Sequence, residues 1–72
     1  MRKNEIIESI NRVCHNKREA EAIFLECIKE NALENKEEYS KGEVVKLCNS
    51  LKRRGGYLAV VASILAAKVY LS

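Results

Sequence analysis

The chain has 72 residues, 47% of them apolar, with 13 basic and 10 acidic side chains and a net charge of +3. That length allows one domain, whose unaided core hides only about 60% of the unfolded surface. The apolar content excludes a compositionally disordered chain. Pro, Trp, Asp, Thr and Gln are absent and Gly occurs three times, so the Glu, Lys, Leu, Ala and Ile that remain point to helices with little punctuation between them.

Residues 4–15, NEIIESINRVCH, place Ile6, Ile7, Ile10, Val13 and Cys14 at helical spacing. Asn4 is the expected N-cap, with Glu5 and Glu8 at the positive end of the helix dipole. A second helix is expected over 17–35, opened by Asn16 and Glu19 in the spacing of a capping box. Its apolar face is Ala20, Ile23, Phe24, Cys27 and Ile28. Only His15 and Asn16 separate the two helices, and a break is expected there in preference to one long helix.

Ser40-Lys41-Gly42-Glu43 fits S-x-x-E, the capping box, ahead of Val44, Leu47, Cys48 and Leu51. This helix is expected over 41–54. Lys52, Arg53 and Arg54 sit in its last turn, where the dipole favours cations, and Gly55 is the natural C′ residue. Gly56 then opens a fourth helix over 57–71, apolar all round except Ser63 and Lys68, as in a buried or membrane helix. Fifteen residues span about 22 Å against a hydrocarbon core of ~30 Å, and Lys68 is costly in lipid, so a membrane partner is not expected. The reading is an all-α protein, one helical domain over residues 1–72, built as a compact bundle of three to four short helices with the apolar C-terminal helix at its centre.

The charge is unevenly placed. Residues 1–40 hold seven basic and nine acidic residues, whereas residues 41–72 hold six basic and one acidic. A basic patch of this kind suits a phosphate backbone, an anionic membrane or an acidic protein surface. Cys14, Cys27 and Cys48 are odd in number, lack short spacings and fall on apolar stripes, so they read as reduced core thiols. The opening MRKNEIIESI is charged and amphipathic, unlike a secretory leader, and a cytoplasmic setting is expected.

Chemistry is sparse. His15 and Cys14 are adjacent on a helix and point about 100° apart, so they form no nucleophile–base pair. Zinc spacings, calcium loops and glycine-rich phosphate motifs are missing. A non-enzyme without cofactor or metal is expected. In KRRGGY, backbone N–H groups at Gly56 and Tyr57 lie beside Arg53 and Arg54 in a pattern suited to an anion.

Leu47, Leu51, Gly55, Gly56, Leu58, Ala62 and Leu65 together resemble the front of the helix-turn-helix of factor-for-inversion-type regulators. Tyr57 stands where that family prefers Asn, and Ala66 where its turn takes Gly. The resemblance covers residues 47–65, and the segment after it is too short for a helix that reads base edges, so no family is assigned on it.

Two functions follow as expectations. The first is protein–protein association by an accessory regulator, inhibitor or immunity-type module, with a second copy or another protein as partner. Leu58, Val61, Ser63, Leu65 and Val69 would form its association interface. Lys46, Lys52, Arg53, Arg54, Gly55 and Gly56 would form a partner or phosphate contact. The alternative is a nucleic-acid-binding regulator that uses the KRRGG corner on the DNA backbone.

Overall fold

The computed structural model describes residues 1–71. Four helices follow one another: α1 (Lys3–Cys14), α2 (Lys17–Glu30), α3 (Lys41–Arg54) and α4 (Tyr57–Leu71). They form a ring in which α1 packs on α2, α2 on α3, α3 on α4 and α4 on α1. Among the described residues, the backbones of α1 and α3, and those of α2 and α4, lie across the ring from one another. The chain is all-helical, and one core cluster fills the ring, with Phe24, Ile6, Ile10, Leu47, Leu51 and Leu65 its largest fully buried side chains.

Each helix boundary has a local cause. The N-cap of α1 is Arg2, two residues before the expected Asn4, and no side chain caps the helix. Loop backbone does the work instead. Lys3 N–H donates to Glu37 O (2.9 Å), Tyr39 N–H donates to Met1 O (2.8 Å), and Arg2 and Glu38 form an antiparallel bridge. The break between α1 and α2 is present: His15 takes a left-handed conformation, φ 54°, and donates its N–H to Asn11 O. Asn16 then caps α2 by accepting from Glu19 N–H at 3.1 Å. The reciprocal half of that capping box is not made, and the Glu19 carboxylate accepts from the Tyr57 hydroxyl.

α2 stops at Glu30, five residues short of the expected 35. Ala32 N–H donates to Lys29 O and Leu33 N–H to Ile28 O, the paired bonds of a Schellman ending. Ala32 holds φ 53°, the position usually given to glycine. The Asn31 amide fixes this end, donating to Cys27 O and to the buried Ser50 hydroxyl, both at 2.8 Å. Neither Ala nor Asn announces a stop as Gly would, which is why periodicity alone carried the helix too far.

The capping box of α3 is complete. Glu43 N–H donates to Ser40 Oγ, and Ser40 N–H donates to Glu43 Oε1. Tyr39 and Val44, both buried, occupy the two positions of a hydrophobic staple around it. Gly55 ends the helix at φ 75°, ψ −170°, and Gly56 follows at φ 60°. The first of these is a backbone region almost reserved for glycine. The two-residue turn sends α4 back antiparallel to α3, so that Lys41, at the start of α3, lies 5.9 Å from the Tyr70 ring near the end of α4.

α4 occupies one corner of the ring and is not enclosed. Leu58, Val61, Ala62, Leu65 and Val69 are in the core, while Val60, Ile64 and Leu71 are exposed. The reason is geometric: with four helices of similar length in a ring, every one keeps a face outward. α4 also runs unbroken through Ala66, so the turn implied there by the helix-turn-helix resemblance is absent.

Candidate functional site

The residues expected at the basic corner do not act alike. Lys46, Lys52 and Arg53 are exposed on α3. Arg54 is committed within the chain. Its guanidinium donates to both carboxylate oxygens of Glu30 at 2.9 Å, a two-pronged pair that ties α3 to α2. This pair holds the Glu30 carboxyl below its usual range, chiefly through the hydrogen bonds from Arg54. Arg53 donates to Ser50 Oγ at 3.2 Å and keeps an exposed side chain. Gly55 N–H is used by Lys52 O. The corner is therefore partly a helix–helix joint.

The expected association interface needs correcting in its phase. Leu58, Val61, Leu65 and Val69 are buried in the chain's own core, and of that set Ser63 alone faces solvent. The outward face is instead Tyr57, Val60, Ile64, Ala67 and Leu71, with Val60 55% and Leu71 87% exposed. An all-apolar helix has no polar side to mark its phase, so only the packing of α1 and α3 decides it. The one charged residue of α4, Lys68, turns toward α1 and donates to Ser9 Oγ at 3.3 Å. The exposed face of α4 is thus uncharged along its whole length.

Two depressions flank this face. A groove of about 230 Å³ runs between α3 and α4, lined by Val45, Cys48, Asn49, Lys52, Ala62, Ser63, Ala66 and Tyr70. The small side chains of α4 make it a groove and not a ridge. A cleft of about 320 Å³ lies at the other flank, where Glu5 of α1 meets Lys41, Lys68 and Val69.

The two buried thiols, Cys27 and Cys48, are poor nucleophiles. Burial pushes Cys27 up to about 11, against a smaller opposing effect of Arg54, and burial also raises Cys48. A thiol so raised stays protonated at neutral pH and behaves as packing. Among the described residues no cluster of His, Cys, Asp or Glu has the grouping of a metal site, and no helix is long and apolar enough to cross a membrane.

Tyr39 was not expected among the structural residues. It is buried against Phe24, ring edge to ring face at 5.8 Å, and its hydroxyl donates to Glu34 O at 2.6 Å and accepts from Lys36 N–H. The staple position before Ser40 was the signal that marked it. No family model matches the chain, and no curated protein or solved structure matches it.

Proposed function

We propose that the chain is a non-enzymatic association module that binds protein through the outward face of α4. The observation that carries this reading is the combination of exposed Val60, Ile64 and Leu71 with the inward turn of Lys68. A contiguous, uncharged apolar strip on a small surface is a place where association removes water from hydrocarbon. The basic residues of α3 beside it give steering and orientation. A cytoplasmic accessory regulator, inhibitor or immunity-type protein is the class of molecule that fits, by analogy of size and surface.

The test is site-specific photo-crosslinking in cells. A photoreactive residue at Val60 or Ile64 should give strong adducts, and the same residue at Arg18 or Lys29 on the outer face of α2 should give few. Equal labelling at all four positions would remove the reading.

A second reading, phosphate-backbone binding, rests on exposed Lys46, Lys52 and Arg53 with no acid on that side of α3. Three such contacts predict a log–log salt slope of about −2.7 on duplex DNA. Absence of binding at low salt, or a slope unchanged in Lys52→Ala with Arg53→Ala, would eliminate it.

A further inference from the structure

The cleft where α1, α3 and α4 meet gathers three charged side chains that do not neutralise one another. Glu5 of α1, Lys41 of α3 and Lys68 of α4 all line its volume of about 320 Å³. Among the described residues, no ion pair joins Glu5 to either lysine. Lys41 lies over the Tyr70 ring, 5.9 Å from its centre. Lys68 is half-buried, and its ammonium has a neutral partner, the Ser9 hydroxyl at 3.3 Å. That hydroxyl is itself buried and donates to the backbone carbonyl of Glu5 at 3.0 Å. A half-buried ammonium that meets only a hydroxyl has given up water without gaining a counter-charge.

Lys41 breaks a local rule as well. It is the first residue of α3, where the helix dipole favours an anion. The acid of that turn, Glu43, is taken up by the capping box and by Lys36 at 2.8 Å. Lys41 thus adds its charge to the positive end of α3 at the edge of the cleft.

Glu5 keeps the cleft from being a simple anion site. A ligand with a carboxylate alone meets Glu5 as a like charge, and a cation alone meets two lysines. A molecule that carries both charges a few bonds apart satisfies all three side chains. Val44 and Val69, both buried, form an apolar floor beside Met1. We propose that this cleft binds a free α-amino acid with an apolar side chain. Its carboxylate sits between Lys41 and Lys68, its ammonium on Glu5, and its side chain over Val44 and Val69. The cleft is at the small end of ligand cavities, which run from ~300 to 1,000 Å³, as a ligand of that size requires. It lies on the flank of α4, so it fills whether or not a protein covers the outer face.

The experiment is a titration of the full isotope-labelled chain, read by amide chemical shifts. The probes are leucine, its deaminated analogue isocaproate and its decarboxylated analogue isoamylamine. Leucine should shift Lys41, Val44, Lys68 and Val69 as one saturable group, with a dissociation constant of about 1 mM. Each analogue should bind about tenfold more weakly, because one charge of the cleft is left unpaired. Lys41→Gln and Lys68→Met should keep the helical circular dichroism and each weaken leucine about tenfold. Lys41→Gln, at an exposed position, decides the matter if Lys68→Met fails to fold. Glu5→Gln should bring leucine and isocaproate within about twofold of each other. Lys46→Gln, on α3 outside the cleft, should leave leucine binding unchanged. Shifts that never saturate, or that Lys46→Gln weakens as much as Lys41→Gln does, overturn the site. Equal binding of leucine and isocaproate by the wild type overturns the role of Glu5 and with it the amino-acid assignment.

Discussion

Val60 and Val61 are neighbours of one residue type with opposite fates: Val61 is wholly buried and Val60 is 55% exposed. The same division runs along α4. Its inner face closes the core against α1 and α3, and its outer face repeats almost the same composition toward solvent. Hydrophobicity fixes that such a helix packs on something, but not which side does so. Here the side is set by two neighbours and a turn, and the composition left over is what makes the outer face a candidate for function.

The most direct way to break this comparison is to truncate both faces by the same chemistry. Leu65→Ala should cost about 2–5 kcal/mol through lost burial and an internal cavity. Ile64→Ala, measured in dilute protein, should stay within about 0.5 kcal/mol. Denaturant melts of the two variants decide it, and equal losses would mean that the faces are not distinct.

The turn that sets the phase of α4 can be attacked next. Gly55→Ala should destabilise by about 1–3 kcal/mol, although open space surrounds the added methyl, because the backbone conformation itself is the obstacle. Gly42, inside α3 with equal space around it, should behave oppositely, and Gly42→Ala should gain about 0.5–1 kcal/mol. Thermal melts of the pair separate conformation from packing.

At the end of α2, Ala32 holds a left-handed conformation without being glycine. Ala32→Gly relieves that and should raise stability by about 1 kcal/mol. A melting temperature that falls instead would show that the methyl group contributes more than the strain removes.

Acid should touch the start of α3 and leave the uncharged face of α4 alone. The Lys36 ammonium, followed by the Ser40 backbone N–H, lowers the Glu43 carboxyl from the usual 4.5 to about 2. A group lowered on folding stabilises the native state when ionised. Its contribution is present above about pH 4.5 and is lost as pH falls toward 2. Glu43→Gln should flatten the dependence of melting temperature on pH in that window. The effect is the smallest of the four, since the pair lies near the surface.

Much of the fold is legible where a polar side marks the phase. Ile6, Ile7 and Ile10 in α1 and Val44, Leu47, Cys48 and Leu51 in α3 are core residues as their spacing predicts. The Ser40–Glu43 box is legible because it is a reciprocal, local device. What escaped the sequence is non-local. Arg2 begins α1 because residues 37–39 come alongside it, and Asn31 ends α2 because Ser50 is there to accept its amide. Arg54 reads as a surface cation until Glu30, from another helix, arrives beside it. At the candidate site the residue class was legible and the phase was not, since Leu58 and Val61 look no different from Val60 and Ile64.

The ring order also bears on how quickly the chain finds its shape. Three of the four helix contacts join neighbours in sequence, and two of these cross links of two residues. Loop-closure entropy is small for such steps, so they form early and fast. The contact of α4 with α1, together with the pairing of residues 1–3 to 37–39, is the part that waits for the rest of the chain. Changes at Gly55 should therefore slow folding, whereas removing the Lys68–Ser9 bond should mainly hasten unfolding. The helix whose outer face is left to solvent is thus tied on one side by an early hairpin and on the other by a late seam.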